Sequence, residues 1–180
     1  MTRKNRALGA TRLIHWSMAV LIVGLLALGF YMANTHSYGF YALHKSLGVL
    51  AILLLVLRLS WRVLHPWQSS AYGTPSEKWV KQVHLTLLTL LAFMPLSGLC
   101  LSGFGGYGVE FFGVQLIPSQ FDELGAAIPY HSGLAELGYI AHELVAYLFT
   151  ALLVLHVLAA LKHHFLDKDN TLKRMLGTAE

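Results

Sequence analysis

The stretch LGYIAHELVAYLFTALLVLHVLAAL, residues 137–161, decides the fold. It is long enough to cross the roughly 30 Å hydrocarbon core of a bilayer, and apolar residues lie on all its sides. Two of its few polar side chains are His142 and His156, fourteen residues apart. At 100° per residue the second imidazole falls within about 40° of the first, and the two are about 21 Å apart along the axis. One helix therefore offers a nitrogen ligand in each half of a membrane, along a shared stripe. Ionisable groups inside a membrane are rare and functional by default. Among the ten histidines of the chain, His15, His44 and His84 also sit in or at the edge of apolar runs.

Working outward, the composition is 56% hydrophobic and only 12% charged, too apolar for an ordinary soluble domain. The pattern predicts an all-α integral membrane protein, a four-helix bundle forming one transmembrane domain over 1–180, with helices at roughly 13–33, 42–64, 83–104 and 137–163. Arg3, Lys4, Arg6 and Arg12 resemble the start of a secretory signal, but the apolar run is long and Tyr31-Met32-Ala33-Asn34 is a poor cleavage site, so the first helix is expected to stay.

Of the thirteen Lys and Arg residues, an inside N-terminus places all but Lys45 on the inner side. The connection from Gly105 to Glu136 has no basic residue and carries Glu110, Asp122, Glu123 and Glu136. This bias predicts a multi-pass protein of the bacterial inner membrane with both termini cytoplasmic. The net charge of +4 reflects that topology, and its partner is the lipid bilayer, with no nucleic acid implied. The outer connection is too long to be idle, and its aromatic segment from Val109 to Val114 is expected at the membrane interface. Cys100 is the only cysteine, which excludes an internal disulfide and a covalent CxxCH haem.

Topology gives each histidine a depth. His44 and His142 are outer and form a nearly forced pair. His156 is inner, and both His15 and His84 could face it. Two imidazoles at each of two depths suit two b-type haems held by bis-histidine ligation, an arrangement that favours electron transfer over oxygen binding. Gly48 and Gly138 lie one turn from His44 and His142, where a small residue serves either a flat macrocycle or helix packing. Arg12, Lys45, Arg58 and Arg62 flank the ligands as cations for haem propionates or lipid phosphates. His163, seven residues after His156, falls within about 20° of the same face and roughly 10 Å further in. With Lys78, Trp79 and Lys81 it marks the inner end as a site for quinone and its protons.

These residues also carry a family resemblance. Arg12-Leu13-Ile14-His15-Trp16, His44-Lys45-Ser46-Leu47-Gly48, Arg58-Leu59-Ser60-Trp61-Arg62 before Pro66, the His142 to His156 spacing and His163-His164-Phe165 resemble the bacterial cytochrome b561 family. Lys168-Asp169-Asn170-Thr171 and Lys173-Arg174-Met175 continue the likeness, which is strongest for the short four-helix members of the superoxide oxidase type. The resemblance implies two b haems held by His15 with His156 and His44 with His142, leaving His84 to line the inner haem pocket or a quinone site. It further implies that superoxide gives its electron at the periplasmic face and that ubiquinone is reduced near the cytoplasmic face. The acidic outer loop departs from what an anionic substrate asks for, although Lys45 is kept. A membrane anchor and electron conduit for a periplasmic dehydrogenase or hydrogenase is the second function the pattern admits, and a haem-free transporter a distant third.

Overall fold

Four helices dominate the computed structural model, which describes residues 3–66 and 72–178, with side chains from residue 8 onward. Helix α1 spans Arg3–Thr35, α2 Tyr41–Leu64, α3 Glu77–Phe104 and α4 Ser132–Phe165. All four contain stretches long and apolar enough to cross a membrane. The side chains of Arg3, Lys4 and Arg6, part of the basic N-terminal set, lie outside the described residues.

Helices α1, α3 and α4 outrun the apolar stretches that announce them, because polar turns continue the helix, whereas α2 matches its stretch. Glu77 opens α3 six residues before Val83, and its carboxylate accepts from the backbone N–H of Gly73 at 2.8 Å. A negative charge in the first turn also suits the helix dipole. His131 caps α4, its Nδ1 accepting from the Leu134 N–H at 3.2 Å. With 34 residues α4 is about 51 Å long, so it must tilt in a bilayer or project from one.

The core is a narrow column. Met18, Ile22, Leu25 and Leu26 of α1 meet Ala51 and Leu55 of α2, Leu91 of α3 and Phe149 of α4. Outside it, large apolar side chains face outward, Val20 at 73% and Val63 at 78% exposed. That surface would aggregate in water but matches lipid. The most extensive pairing is α3 against α4. It depends on Gly138, where an added Cβ would fall 2.9 Å from the backbone carbon of Cys100 and collide with the Leu101 N–H group.

Two small elements are absent from the sequence reading. Strands β1 (Val109–Phe111) and β2 (Val114–Ile117) form an antiparallel hairpin against α2. Its two-residue turn, Phe112-Gly113, has positive φ at both positions, 46° and 88°. That hand fits the strand twist but is unusual for an aromatic residue. The expected interfacial aromatic segment is thus a folded hairpin. Helix α5 (Thr171–Leu176) follows α4 and ends at Gly177. It folds back on α1: Arg12 Nε donates to the Arg174 carbonyl at 2.7 Å and Trp16 Nε1 to the Met175 carbonyl at 3.0 Å. Helix α5 and the first part of α1 therefore meet at one end of the bundle, called the terminal end; the β-hairpin covers the other, the hairpin end.

Candidate functional site

At the hairpin end, α2 presents His44 and α4 presents His142 across a cleft. Their ring centres are 6.2 Å apart with the planes at 82°. The cleft is lined by apolar side chains, among them Ile22, Leu25, Leu26, Met94 and Phe149, and by Gly48. A Cβ on Gly48 would meet nothing within 4 Å, so this glycine keeps space open in the cleft, whereas Gly138 serves helix packing. Two further glycines, not singled out by the sequence, let the rings lie close to neighbouring helices. A Cβ on Gly29 of α1 would stand 3.4 Å from His44, and one on Gly98 of α3 3.1 Å from His142.

Hydrogen bonding fixes one of the two tautomers. His142 Nδ1 lies 3.0 Å from the Met94 carbonyl, which can only accept. The hydrogen is therefore on Nδ1, and the Nε2 lone pair is free for a metal. His44 Nδ1 is buried and has no hydrogen-bond partner among the described residues. A polar nitrogen so bare in an apolar cleft is costly unless the ring is held in some other way.

The terminal end gathers three histidines. His84 of α3 and His156 of α4 have ring centres 5.5 Å apart. His84 Nδ1 bonds the Val80 carbonyl of its own helix at 2.7 Å, again leaving Nε2 with the lone pair. His15 of α1 is close enough to interact electrostatically with both. Its Nδ1 accepts from the Arg58 guanidinium at 3.3 Å. Arg62 is exposed in the last turn of α2, near Arg58. Among the described residues no three side chains of the His, Cys, Asp and Glu types cluster to hold a bare metal ion.

Other singled-out residues have definite places. Lys45 is half-buried, and its Nζ donates to the carbonyls of Tyr107 at 3.1 Å and Gly108 at 3.0 Å. Beside it, the buried Ser46 hydroxyl accepts from the Phe112 N–H at 3.0 Å. These two residues after His44 thus clamp the hairpin over the cleft. Asp122, Glu123 and Glu136 of the outer connection are exposed. On the first turns of α3, Lys78 is exposed, Trp79 is 75% exposed and Lys81 pairs with Glu77 at 2.5 Å.

His163 Nδ1 lies 3.0 Å from carboxylate oxygens of both Asp167 and Asp169, contacts of charge proximity without hydrogen-bond alignment. Partial burial alone would raise the Asp169 carboxyl. The Thr171 backbone and side chain, together with His163, more than offset this and hold it below the usual carboxylate value. Asp169 is therefore an anion at neutral pH beside the imidazole.

The family model described as prokaryotic cytochrome b561 matches residues 9–178. The chain belongs to the prokaryotic cytochrome b561 family. Cytochrome b561 homolog 2 of Escherichia coli (strain K12) is 36% identical over 170 residues, covering 91% of this chain and 87% of that protein. Cytochrome b561 homolog 1 of the same organism is 28% identical over 140 residues, 74% of this chain and 72% of its own length. A probable superoxide oxidase CybB of Yersinia pestis is 25% identical over 172 residues, 91% of each chain.

Cytochrome b561 proteins bind haem b and transfer electrons in membranes, and this chain is a multi-pass bacterial membrane protein of that kind. The hairpin-end cleft fits the cofactor. Two metal–imidazole bonds of about 2 Å each need ring centres roughly 6.3 Å apart, close to the span between His44 and His142. The apolar lining, the unpartnered His44 nitrogen and the open space over Gly48 suit a flat, largely apolar macrocycle.

Proposed function

We propose that the chain is a single di-haem b domain of the bacterial inner membrane that passes electrons from superoxide to ubiquinone. The observation that carries this is the facing pair His44 and His142 at one end, with the His15, His84 and His156 group at the other. When bound, haem b carries single electrons, and two such groups stacked between the faces give an electron a path across the bilayer. His44 and His142 hold the hairpin-end haem, and His156 with His15 the terminal-end one. The 5.5 Å between His84 and His156 is short for an iron between them, which supports His84 as a neighbour of that haem and not its ligand. Holding a haem at Nε2 requires His15 to carry its hydrogen on Nδ1, so Arg58 must release that nitrogen and is then free for a propionate. Arg62 adds a second cation nearby, while Arg12 anchors α5.

This assignment separates two variants. His15→Ala is expected to lose the terminal-end haem, whereas His84→Ala keeps both haems in the absorption spectrum of the purified protein. Loss in His84→Ala with retention in His15→Ala would exchange the two roles.

The charge bias of the loops supports a periplasmic hairpin end. There two superoxide ions each give up one electron and leave as dioxygen. At the terminal end those two electrons and two cytosolic protons convert one ubiquinone to its quinol. His163, facing water and held between the Asp167 and Asp169 carboxylates, relays the protons. Lys78 and Trp79, on the first turn of α3 and so at the end of that helix that carries His84, are the further residues proposed for the quinone.

Lys45 clamps the loop and supplies positive charge near the outer ligands. Under a steady superoxide flux with ubiquinone present, the haems should reduce and quinol accumulate at one per two superoxide. Lys45→Glu should slow reduction several-fold. Added salt should slow the wild type, because screening weakens steering of a small anion without breaking the half-buried clamp. Haems that stay oxidised under the flux, with or without quinone, would overturn this reading. They would favour an electron-conduit subunit for a periplasmic dehydrogenase or hydrogenase, for which exposed Asp122, Glu123 and Glu136 offer a docking surface.

A further inference from the structure

The five residues Met94 to Gly98 of α3 form the seat of the His142 ring. Pro95 lies inside α3 here and removes one backbone donor. The Met94 carbonyl accepts from His142 Nδ1 at 3.0 Å, and Gly98 lets the ring lie against the helix. The Ser97 hydroxyl completes the seat. Its oxygen is 3.1 Å from His142 Nδ1 and 2.8 Å from the Met94 carbonyl, and the residue is only 8% exposed.

The hydrogens in this triangle have one consistent arrangement. The Met94 carbonyl only accepts, so it takes the Ser97 hydrogen and part of the Nδ1 hydrogen on its two lone pairs. Ser97 Oγ then turns a lone pair to the same Nδ1–H. Two acceptors, one backbone and one side chain, thus share a single imidazole donor.

We propose that Ser97 is a positioning residue for His142: with the tautomer already set by the Met94 carbonyl, its hydroxyl oxygen holds the plane of the ring and raises the basicity of Nε2. The inference rests on His142 as a haem ligand. A more basic axial imidazole favours the oxidised iron, so Ser97 holds down the potential of the hairpin-end haem relative to the same site without the hydroxyl. A serine that merely satisfies itself on its own helix would have no such effect.

The test is a spectroscopic redox titration of both haems in the wild type and in Ser97→Ala, Ser97→Thr and Ser97→Val, the hairpin-end haem being the one that His142→Ala removes. Ser97→Ala and Ser97→Val should raise the midpoint of that haem alone, increasing its reduced-to-oxidised ratio several-fold at a fixed potential. Ser97→Thr should stay near the wild type. Threonine and valine share a shape, so their difference isolates the hydroxyl from any packing change. Unchanged midpoints in all three variants, equal shifts in Thr and Val, a fall in place of a rise, or a parallel shift of both haems would overturn the proposal. A wild type with no haem at His142 would overturn the ligand assignment beneath it as well.

Discussion

His142→Ala should halve the haem content, from two per chain to one, while the protein still inserts and purifies as a helical bundle. On the proposed assignment, this imidazole would be the ligand that α4 gives to the hairpin-end haem. The cleft that remains is apolar and offers no other nitrogen on that helix at that depth, since His156 lies about 21 Å away. The bundle should survive because the core column of Met18, Ile22, Leu55, Leu91 and Phe149 does not depend on His142. His44→Ala should give the same spectrum, because on the proposed assignment His44 would be the other residue holding that haem. Haem quantified against protein in each variant checks this. Loss of both haems from either variant would mean that the two sites assemble together and cannot be assigned to separate ends.

The second large effect is structural. Gly138→Leu should destabilise the bundle by roughly 3 kcal/mol or more, because the new Cβ meets the backbone of Cys100 and Leu101, which cannot give way like a flexible side chain. The whole α3–α4 contact, the most extensive in the bundle, would have to open. Lower yield and a lower thermal transition in detergent would register it. Gly48→Leu should behave differently. Nothing stands within 4 Å of its added Cβ, so the fold should persist while the bulk enters the cleft and excludes the hairpin-end haem. Equal destabilisation by both would remove the distinction between a packing glycine and a cofactor glycine.

That distinction shows where sequence reading stops. Both glycines sit one turn from a histidine in an apolar run, and nothing local separates them; the difference lies in what the neighbouring helix brings to each. The same limit leaves His15 and His84 tied opposite His156. Helices apolar on every side give no amphipathic stripe to fix their rotation, so depth is legible and facing is not. Depth sufficed for His44 and His142, because no third histidine of a helix shares their level.

The four spans were legible for a simple reason: lipid demands long apolar runs, and only those are long. Helix ends were not, because polar residues such as Glu77 and His131 extend a helix as readily as they end one. Lys45 is plainly a cation in the sequence. Its bonds to Tyr107 and Gly108 depend on the path of a loop more than sixty residues away. The hairpin was hidden by a turn that places Phe112 at positive φ, where sequence preference expects glycine or asparagine. Ser97 and Gly98 gave no signal beyond two small residues after a proline, and only the His142 ring lying over them gives them meaning.

Two bis-histidine haems in one four-helix chain would set both the ratio of haem b to protein in the purified wild type and its low-temperature electron paramagnetic resonance spectrum, and the two are to be measured together. Two b haems per chain, both low-spin and six-coordinate, are expected. One haem per chain, or a high-spin signal revealing an open axial position, would contradict that assignment.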